Sequence, residues 1–238
     1  MKQMEPNFKA RRLVVLLIVA IVSLSVVAYD MAQRESKPAV TPQPTQQASS
    51  GQELAIHELA KLPIKGRAPK TGYARTEFGN GWVKHGQCDT RNIILRRDLQ
   101  DVQVSDTCKV LSGTLHDPYT GTQIEFVRGS GTSDAVQIDH VVALSDAWQT
   151  GAQQLSPEQR VSLANDPLEL IAVDGQANQQ KSDGDAATWL PSNKPFRCQY
   201  VARQIAVKRV YSLWLTPAEH DAILAVLESC PDQPMPVK

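Results

Sequence analysis

An aspartate–histidine pair inside an apolar run most constrains how this 238-residue chain can fold. Asp139 and His140 lie between Ala135 and Leu144, in a stretch rich in valine and isoleucine that predicts a buried strand. Burying a carboxylate and an imidazole together costs free energy unless both have partners, and a divalent cation can offset that cost. The pair therefore predicts either a structural hydrogen bond or part of a metal site.

Further metal ligands are predicted downstream of this strand. Leu168–Val173 is a second strand candidate, and Asn178 and Lys181 then follow three residues apart, on one face of a helix. Asp139 and Asn178 would supply two oxygen ligands of the kind that magnesium prefers. Adjacent residues point to opposite faces of a strand, so a twist or a bulge at the strand end would be needed to bring His140 to the same cleft as Asp139.

These residues carry a family resemblance. Asp139-His140 in an apolar strand, followed by Asn178-x-x-Lys181, resembles the HNH nucleases with a ββα-metal site, in particular the HNH domain of GmrSD-type restriction enzymes and its secreted stand-alone relatives. The resemblance covers Lys65 to Cys230 and rests on the order and spacing of its motifs. The supporting motifs are Gly72-Tyr73-Ala74-Arg75, Gly79-Asn80-Gly81-Trp82, Cys88-Asp89-Thr90-Arg91-Asn92 and Asp185-Ala186-Ala187-Thr188-Trp189-Leu190-Pro191.

The sequence departs from the family pattern at one position. Glu169 stands where the family has its middle Asn, nine residues before the ligand Asn178. In the family that Asn is a hydrogen-bonding residue rather than the base. We therefore expect Glu169 to be a structural residue of the site, with an effect on loop geometry more than on chemistry.

The resemblance implies an α+β fold with a ββα-metal core, and metal-assisted hydrolysis of a phosphodiester. Neutral His140 would be the general base toward an in-line water, while a metal on Asp139 and Asn178 stabilises charge on the phosphate. The expected cofactor is Mg²⁺, with Mn²⁺ as the alternative. Lys181, as a point charge, and Arg91, as a guanidinium fork, are the predicted substrate contacts.

The N-terminus predicts export. Residues 1–32 form a signal peptide or signal anchor, because basic residues precede an uncharged apolar run of 17 residues from Leu13 to Tyr29. The anchor is slightly favoured because Leu, Ile and Val dominate the run to its end. Residues 33–52 are rich in Gln, Ser, Thr and Pro and predict a flexible linker, which leaves 53–238 as the nuclease domain. That domain would be secreted, or anchored to the membrane outside the cytoplasm.

Four cysteines, at positions 88, 108, 198 and 230, are an even number in an exported chain, and they predict disulfides. Of the three connectivities, we favour Cys88 with Cys108 and Cys198 with Cys230, because each closes a local unit.

The secondary-structure pattern predicts a β-rich N-terminal part and helices toward the C-terminus. Between Gly72 and Gly129 the chain predicts short strands and turns, with a hairpin around the turn 117–121. Capping signatures that begin at Ser156 and Thr216 predict helix starts, and a helical pattern covers 193–213.

The formal net charge is zero, with 25 basic and 25 acidic residues. That balance argues against strong nonspecific electrostatic binding of nucleic acid by the whole surface and favours binding by local basic patches. One candidate is a basic strip on the C-terminal helices, interpreted either as a solvated face or as a nucleic-acid contact. Its members are Lys194, Arg197, Arg203, Lys208 and Arg209.

Together these features predict an exported, monomeric endonuclease that acts on DNA, with RNA as a second substrate, and with little sequence preference. The alternative is a non-catalytic envelope protein that binds nucleic acid or a protein partner through the same domain; Glu169 and the zero net charge favour it. A third interpretation, hydrolysis of other phosphate esters, would use the same metal and the same His140 base.

Overall fold

The structure, a computed structural model, describes residues 53–237. The targeting segment predicted at residues 1–32 and the linker predicted at 33–52 lie outside the described residues. Within the described part, no helix is long and apolar enough to cross a membrane. The fold is of the mixed α+β class, with small antiparallel sheets and C-terminal helices, as the sequence predicts.

The N-terminal part of the described chain consists mainly of short strands. In chain order its elements are α1 (Ala55–Leu59), a 3-10 helix (Arg75–Phe78), β1 (Lys84–His85), β2 (Cys88–Asp89), α2 (Thr90–Asp98), β3 (Leu99–Val104), β4 (Val110–His116) and β5 (Gln123–Val127). Strands β1 and β2 pair antiparallel, and β3, β4 and β5 form an antiparallel sheet in that order. The hairpin predicted around residues 117–121 is therefore confirmed.

Between Gly72 and Gly129 the sequence predicts mainly short strands and turns, and helix α2 is an element that this prediction does not include. It begins at Thr90 because the Asp89 side chain accepts a hydrogen bond from the backbone N–H of Asn92, at 2.8 Å. Such a cap satisfies one of the N–H groups that the first turn of a helix leaves free.

The second half of the chain contains the two strands predicted around the Asp–His pair and the C-terminal helices. Its elements are a 3-10 helix (Ser133–Ala135), β6 (Val136–His140), α3 (Leu144–Gln149), a 3-10 helix (Ala152–Gln154), α4 (Pro157–Asn165), β7 (Leu170–Asp174), α5 (Gly175–Lys181), a 3-10 helix (Lys194–Phe196), α6 (Arg197–Val210) and α7 (Pro217–Glu228). Both predicted capping boxes are confirmed, with Ser156 before α4 and Thr216 before α7.

Strands β6 and β7 separate two hydrophobic clusters. Ile138 and Ala172 face a smaller cluster that also contains residues of α2 and of the three-stranded sheet. Ile171 and Val173 belong to the larger cluster, which includes the C-terminal helices. Both faces of this strand pair are therefore buried, which explains why its sequence is an apolar run rather than an alternating one.

Both predicted disulfides are confirmed. Cys88 is bonded to Cys108, and Cys198 is bonded to Cys230. The first joins β2 to the turn before β4, and the second joins the start of α6 to the second residue after the end of α7. No cysteine in the part of the chain that the structure describes is left unpaired.

The predicted basic strip is not a free face. Four of its five members donate to other protein groups, and these are Arg197, Arg203, Lys208 and Arg209. Lys208 is fully buried, so neither a solvated face nor a nucleic-acid contact describes it. Lys208 is buried because its ammonium forms ion pairs with two buried carboxylates, which balance its charge inside the fold.

Candidate active site

The strand that carries Asp139 and His140 pairs antiparallel with β7. Val136 lies opposite Asp174, and His140 lies opposite Leu170, with a uniform register between them. The bulge considered from the sequence is therefore not present in this ladder. Helix α5 begins directly after β7, because the side chain of Asp174 accepts a hydrogen bond from the backbone N–H of Ala177 at 2.7 Å. Strand, strand and helix thus form one packed unit, with α3 and α4 inserted between the strands.

The orientation of the His140 imidazole is fixed by a backbone carbonyl. Its Nε2 lies 3.0 Å from the carbonyl oxygen of Ala164, near the end of α4. A carbonyl oxygen only accepts hydrogen bonds, so Nε2 carries the proton and Nδ1 keeps its lone pair. The indole of Trp82 lies nearly parallel to the imidazole, with 5.8 Å between ring centroids. Complete burial and, second, the nearby charge of Arg75 lower the pKa of His140 to about 3. The ring is therefore neutral at physiological pH.

Two buried donors hold the Asp139 carboxylate. The phenol of Tyr119 donates to Oδ2, and the Lys181 ammonium donates to Oδ1 at 3.0 Å. Lys181 also donates to the backbone carbonyl of His140 at 2.8 Å. Burial, followed by the charge of Asp139, raises the pKa of Tyr119 well above its usual value, so the phenol keeps its proton. The ammonium also lies 3.0 Å from Oδ2, so Oδ2 has two partners, while Oδ1 has one and keeps a lone pair for a further partner.

Asn178 lies on α5 beside this carboxylate-bearing strand. Its Nδ2 donates to Oε1 of Gln137, a β6 residue, at 2.8 Å. This bond sets the orientation of the amide. Within residues 53–237 the Oδ1 of Asn178 has no hydrogen-bond partner, so it is free to bind a ligand.

Asp139, His140 and Asn178 border one open cavity of about 390 Å³. Both faces of the β6 end are thus accessible from a single cleft without a bulge, because the cavity extends around the end of the strand. On the opposite wall Asp183 is paired with Lys70 at 3.1 Å, and this contact lowers the pKa of the Asp183 carboxyl.

Comparison with known proteins identifies the family. The family profile of the C-terminal domain of GmrSD restriction endonucleases matches residues 89–226. The chain belongs to this family. It is also 38% identical over 195 residues to a protein of Arthroderma benhamiae described as an uncharacterized secreted protein, an alignment that covers 81% of this chain and 91% of that relative. No solved structure matches the chain.

The GmrSD match includes the four residues of the predicted Asp-His and Asn-x-x-Lys motifs and omits the described residues before Asp89. Arg75 and Trp82, which lie beside His140, are therefore outside the matched region.

Glu169 is the residue at which the sequence is expected to depart from the family pattern. It is fully buried, and its Oε2 accepts a hydrogen bond from the backbone N–H of Val142 at 3.2 Å. Burial raises the pKa of Glu169 well above its usual value, which favours the neutral carboxyl group. A neutral carboxyl can both donate and accept a hydrogen bond, as an amide can.

The two predicted substrate contacts lie away from the open cleft. Arg91, on α2, is largely buried and donates to the carbonyl of Val136 at 3.3 Å, and it does not border the cavity. The ammonium of Lys181 is fully buried and bonded to Asp139. Contact of either side chain with a substrate phosphate stays a prediction, and for Lys181 it would require the ion pair to open.

Tyr119 is a site residue that the sequence interpretation missed. It lies in the turn between β4 and β5, which the sequence marks only as polar turn residues. The turn is fastened to β7, because Asp117 accepts a hydrogen bond from the backbone N–H of Asp174 at 2.9 Å. The one available signal was a large aromatic residue at a position where turns usually carry small polar ones.

A second group of acids, outside the cleft, is an ion-pair network. One oxygen each of Asp146, Asp185 and Glu219 lie within 4.8 Å of one another. Lys208 lies 2.9 Å from Glu219 and 3.2 Å from Asp146, and Arg67 lies 2.8 Å from Asp146 and 2.7 Å from Asp185. Burial raises the pKa of Glu219 to about 7. Two cations thus offset two of the three carboxylate charges, and the raised pKa of Glu219 favours its neutral form.

Proposed function

We propose that this chain is an exported, metal-dependent endonuclease that hydrolyses phosphodiester bonds in DNA, with RNA as a second substrate and with little sequence preference. One observation carries the proposal: a neutral imidazole and two oxygen donors, from His140, Asp139 and Asn178, border the same cavity. Membership of the GmrSD family supports nuclease chemistry. The arrangement of β6, β7 and α5 is the strand–strand–helix order expected of a ββα-metal core.

His140 would act as the general base. Its Nδ1 has the lone pair that can accept a proton from the attacking water, while the Nε2 bond to Ala164 holds the ring and stabilises the imidazolium that forms. A base with so low a pKa is weak in the empty cleft. The negative charge of a bound phosphate would act to raise this pKa, and the positive charge of a cation on Asp139 would act to lower it.

Asp139 and Asn178 would hold the cation, for which we propose Mg²⁺ with Mn²⁺ as the alternative. The donor set fits, because the Asn178 Oδ1 has no hydrogen-bond partner within residues 53–237 and the Asp139 Oδ1 keeps a lone pair beside its bond to Lys181. When bound, the cation would neutralise charge that builds on the phosphate oxygens. Tyr119 and Lys181 would keep the carboxylate in place, in the way that outer hydrogen bonds orient metal ligands.

Export is inferred from two observations. The Arthroderma benhamiae relative is described as secreted, and the two disulfides suit an oxidising compartment. The membrane-anchor prediction rests on residues 1–32 alone. We propose that the protein acts as a monomer on nucleic acid.

Plasmid cleavage by the purified full-length protein, with its disulfides formed, tests the proposal. Mg²⁺ or Mn²⁺ should support cutting and EDTA should abolish it. His140→Ala should lower the rate by about 10²- to 10⁴-fold, the usual contribution of a positioned base. Asn178→Ala should raise the metal concentration needed for half-maximal cutting.

The matched control is His57→Ala, which removes an exposed histidine on α1 and should leave cutting unchanged. Absence of cutting by folded wild-type protein with either metal would reject the catalytic proposal. The non-catalytic binding protein would then be the better account of the domain.

A further inference from the structure

A second cavity also borders His140. It measures about 160 Å³, and Trp82 and Phe78 are aromatic residues in its lining. It shares His140, Leu144 and Arg75 with the cleft that contains Asp139 and Asn178. The residue proposed as the base therefore lines both a polar cavity and an aromatic one.

Arg75 is a cation without an internal partner at this junction. Its side chain is exposed, and within residues 53–237 it forms no ion pair and no hydrogen bond. Other arginines of the described chain are engaged by carboxylates or backbone carbonyls, and these include Arg67, Arg97, Arg160, Arg203 and Arg209. A guanidinium left free beside a polar cleft is suited to bind a planar or tetrahedral oxyanion from outside.

The backbone that carries Arg75 is nevertheless firmly attached to the fold. Phe78, at the end of the same 3-10 helix, is buried and packs edge-on against Tyr73 and Trp148, each with 6.4 Å between ring centroids. Arg160 of α4 donates to the backbone carbonyl of Glu77 at 2.9 Å and to its carboxylate at 3.0 Å. The cation thus projects from a fixed position, so less entropy is lost when it binds a ligand.

We propose that Arg75 binds a backbone phosphate of the substrate and that the Trp82 cavity receives the nucleoside next to the scissile bond. This inference rests on the proposed function. It narrows the substrate class to polynucleotides that have a base on the nucleoside next to the cleaved phosphate. The reason is that the aromatic ring of Trp82 adds affinity for a group that can stack on it. Phosphate esters without such a base would gain nothing from the cavity.

Fluorescence anisotropy of a labelled single-stranded oligonucleotide, with full-length wild-type protein in EDTA to prevent cutting, tests the Arg75 contact. Arg75→Gln should weaken binding about ten-fold and should reduce the slope of log affinity against log salt concentration by about one. Arg96→Gln is the matched control. Arg96 is exposed on α2 and borders neither cavity, so this change removes the same charge elsewhere and should have a much smaller effect.

An oligomer of the same length with abasic sugars throughout tests the nucleoside cavity. Trp82→Ala should weaken binding of the normal oligonucleotide about ten-fold, the usual effect of losing one stacked base, and should leave binding of the abasic oligomer unchanged. Arg75→Gln should weaken both equally, because both have phosphates. Trp82→Phe should restore most of the preference for the normal oligonucleotide.

Equal effects of Arg75→Gln and Arg96→Gln would overturn the phosphate contact. Equal weakening of both oligomers by Trp82→Ala, or no weakening, would overturn the nucleoside cavity, as would the absence of measurable binding by the wild type. Plasmid cutting with metal, measured on the same samples, judges the proposed function separately. Cutting that persists while these binding differences are absent would reject the inference alone.

Discussion

Glu169 is a buried acid at the structural position that the sequence predicts for it. Its carboxyl group is fully buried and accepts the Val142 N–H, and burial raises its pKa well above the usual value, which favours the neutral form. The neutral acid should be replaceable by an amide. Glu169→Gln is therefore expected to keep both plasmid cutting and the free energy of unfolding close to wild type.

Glu169→Ala should behave differently, because it leaves the buried Val142 N–H without a partner, at a cost of about 1 to 3 kcal/mol, and opens a small cavity. Urea unfolding of both variants measures the difference. Glu228→Gln and Glu228→Ala, at an exposed position on α7, are the matched pair and should not differ from each other. A Gln variant as unstable as the Ala variant would mean that Glu169 is ionised in the folded protein.

The site residues could be predicted from the sequence where a charged or amide side chain interrupts a local pattern. Asp139, His140 and Asn178 are conspicuous because charged or amide groups interrupt apolar or helical patterns, and the structure brings all three to one cavity. The contacts of Tyr119 and Arg75 could not be predicted in the same way. Tyr119 bonds to Asp139 and Arg75 lines the cavities beside His140, and both lie in chain segments whose position depends on tertiary packing, which leaves no periodic signal in the sequence.

At the scale of elements, capping residues and periodicity located most helices and strands. Helix α4 runs over Pro157–Asn165, as the Ser156 capping box predicts. Helix α2 was missed because Ile93, Ile94 and Leu95 form a consecutive apolar run rather than a helical stripe, and such short runs do not distinguish strand from helix. Asp89 can be recognised in the sequence as a helix N-cap residue, and it indicates the start of α2 better than the apolar run does.

Helix α4 links local stability to the proposed base, since Ala164 near its end accepts from His140. Ser156→Ala removes the side chain that accepts from the Gln159 N–H. We expect the free energy of unfolding to fall by about 1 kcal/mol, which is typical for a lost N-cap. Ser130→Ala, an exposed serine outside the helices and strands, is the control and should be neutral. Equal stabilities of the two variants, measured by urea unfolding, would contradict a role for this cap.

At the scale of the whole molecule, an ion-pair network connects distant parts of the chain. Its members are Asp146, Asp185, Lys208 and Glu219, which are buried, and Arg67, which is exposed. Glu219 on α7 has its pKa raised from 4.5 to about 7, chiefly by burial. Between those two pH values the folded protein binds a proton that the unfolded chain has lost. The contribution of this proton to the free energy of unfolding is therefore fully present below about pH 4.5 and is lost as the pH rises through about 7.

Glu219→Gln should remove this pH dependence and keep the neutral side chain that closes the α7 capping box. Wild type is expected to lose up to about 3 kcal/mol relative to Glu219→Gln between pH 4.5 and pH 8, a figure that follows from the pKa shift. Unfolding in urea at a series of pH values measures it. Glu125→Gln, at an exposed position on β5, should follow the wild-type curve. Parallel curves for wild type and Glu219→Gln would contradict the raised pKa.

The disulfides have a consequence for the cell that makes the protein. Cys88–Cys108 and Cys198–Cys230 close loops with sequence separations of 20 and 32 residues. In the chain-entropy picture the two closures together contribute about 7 kcal/mol, comparable to the entire stability of many domains. In a reducing cytoplasm the four cysteines stay reduced, and the folded chain lacks this contribution to its free energy of unfolding. A nuclease with these two disulfides would form its complete cleft only after export from the compartment that contains the genome. The redox difference across the membrane would therefore protect the producing cell's own DNA from cleavage.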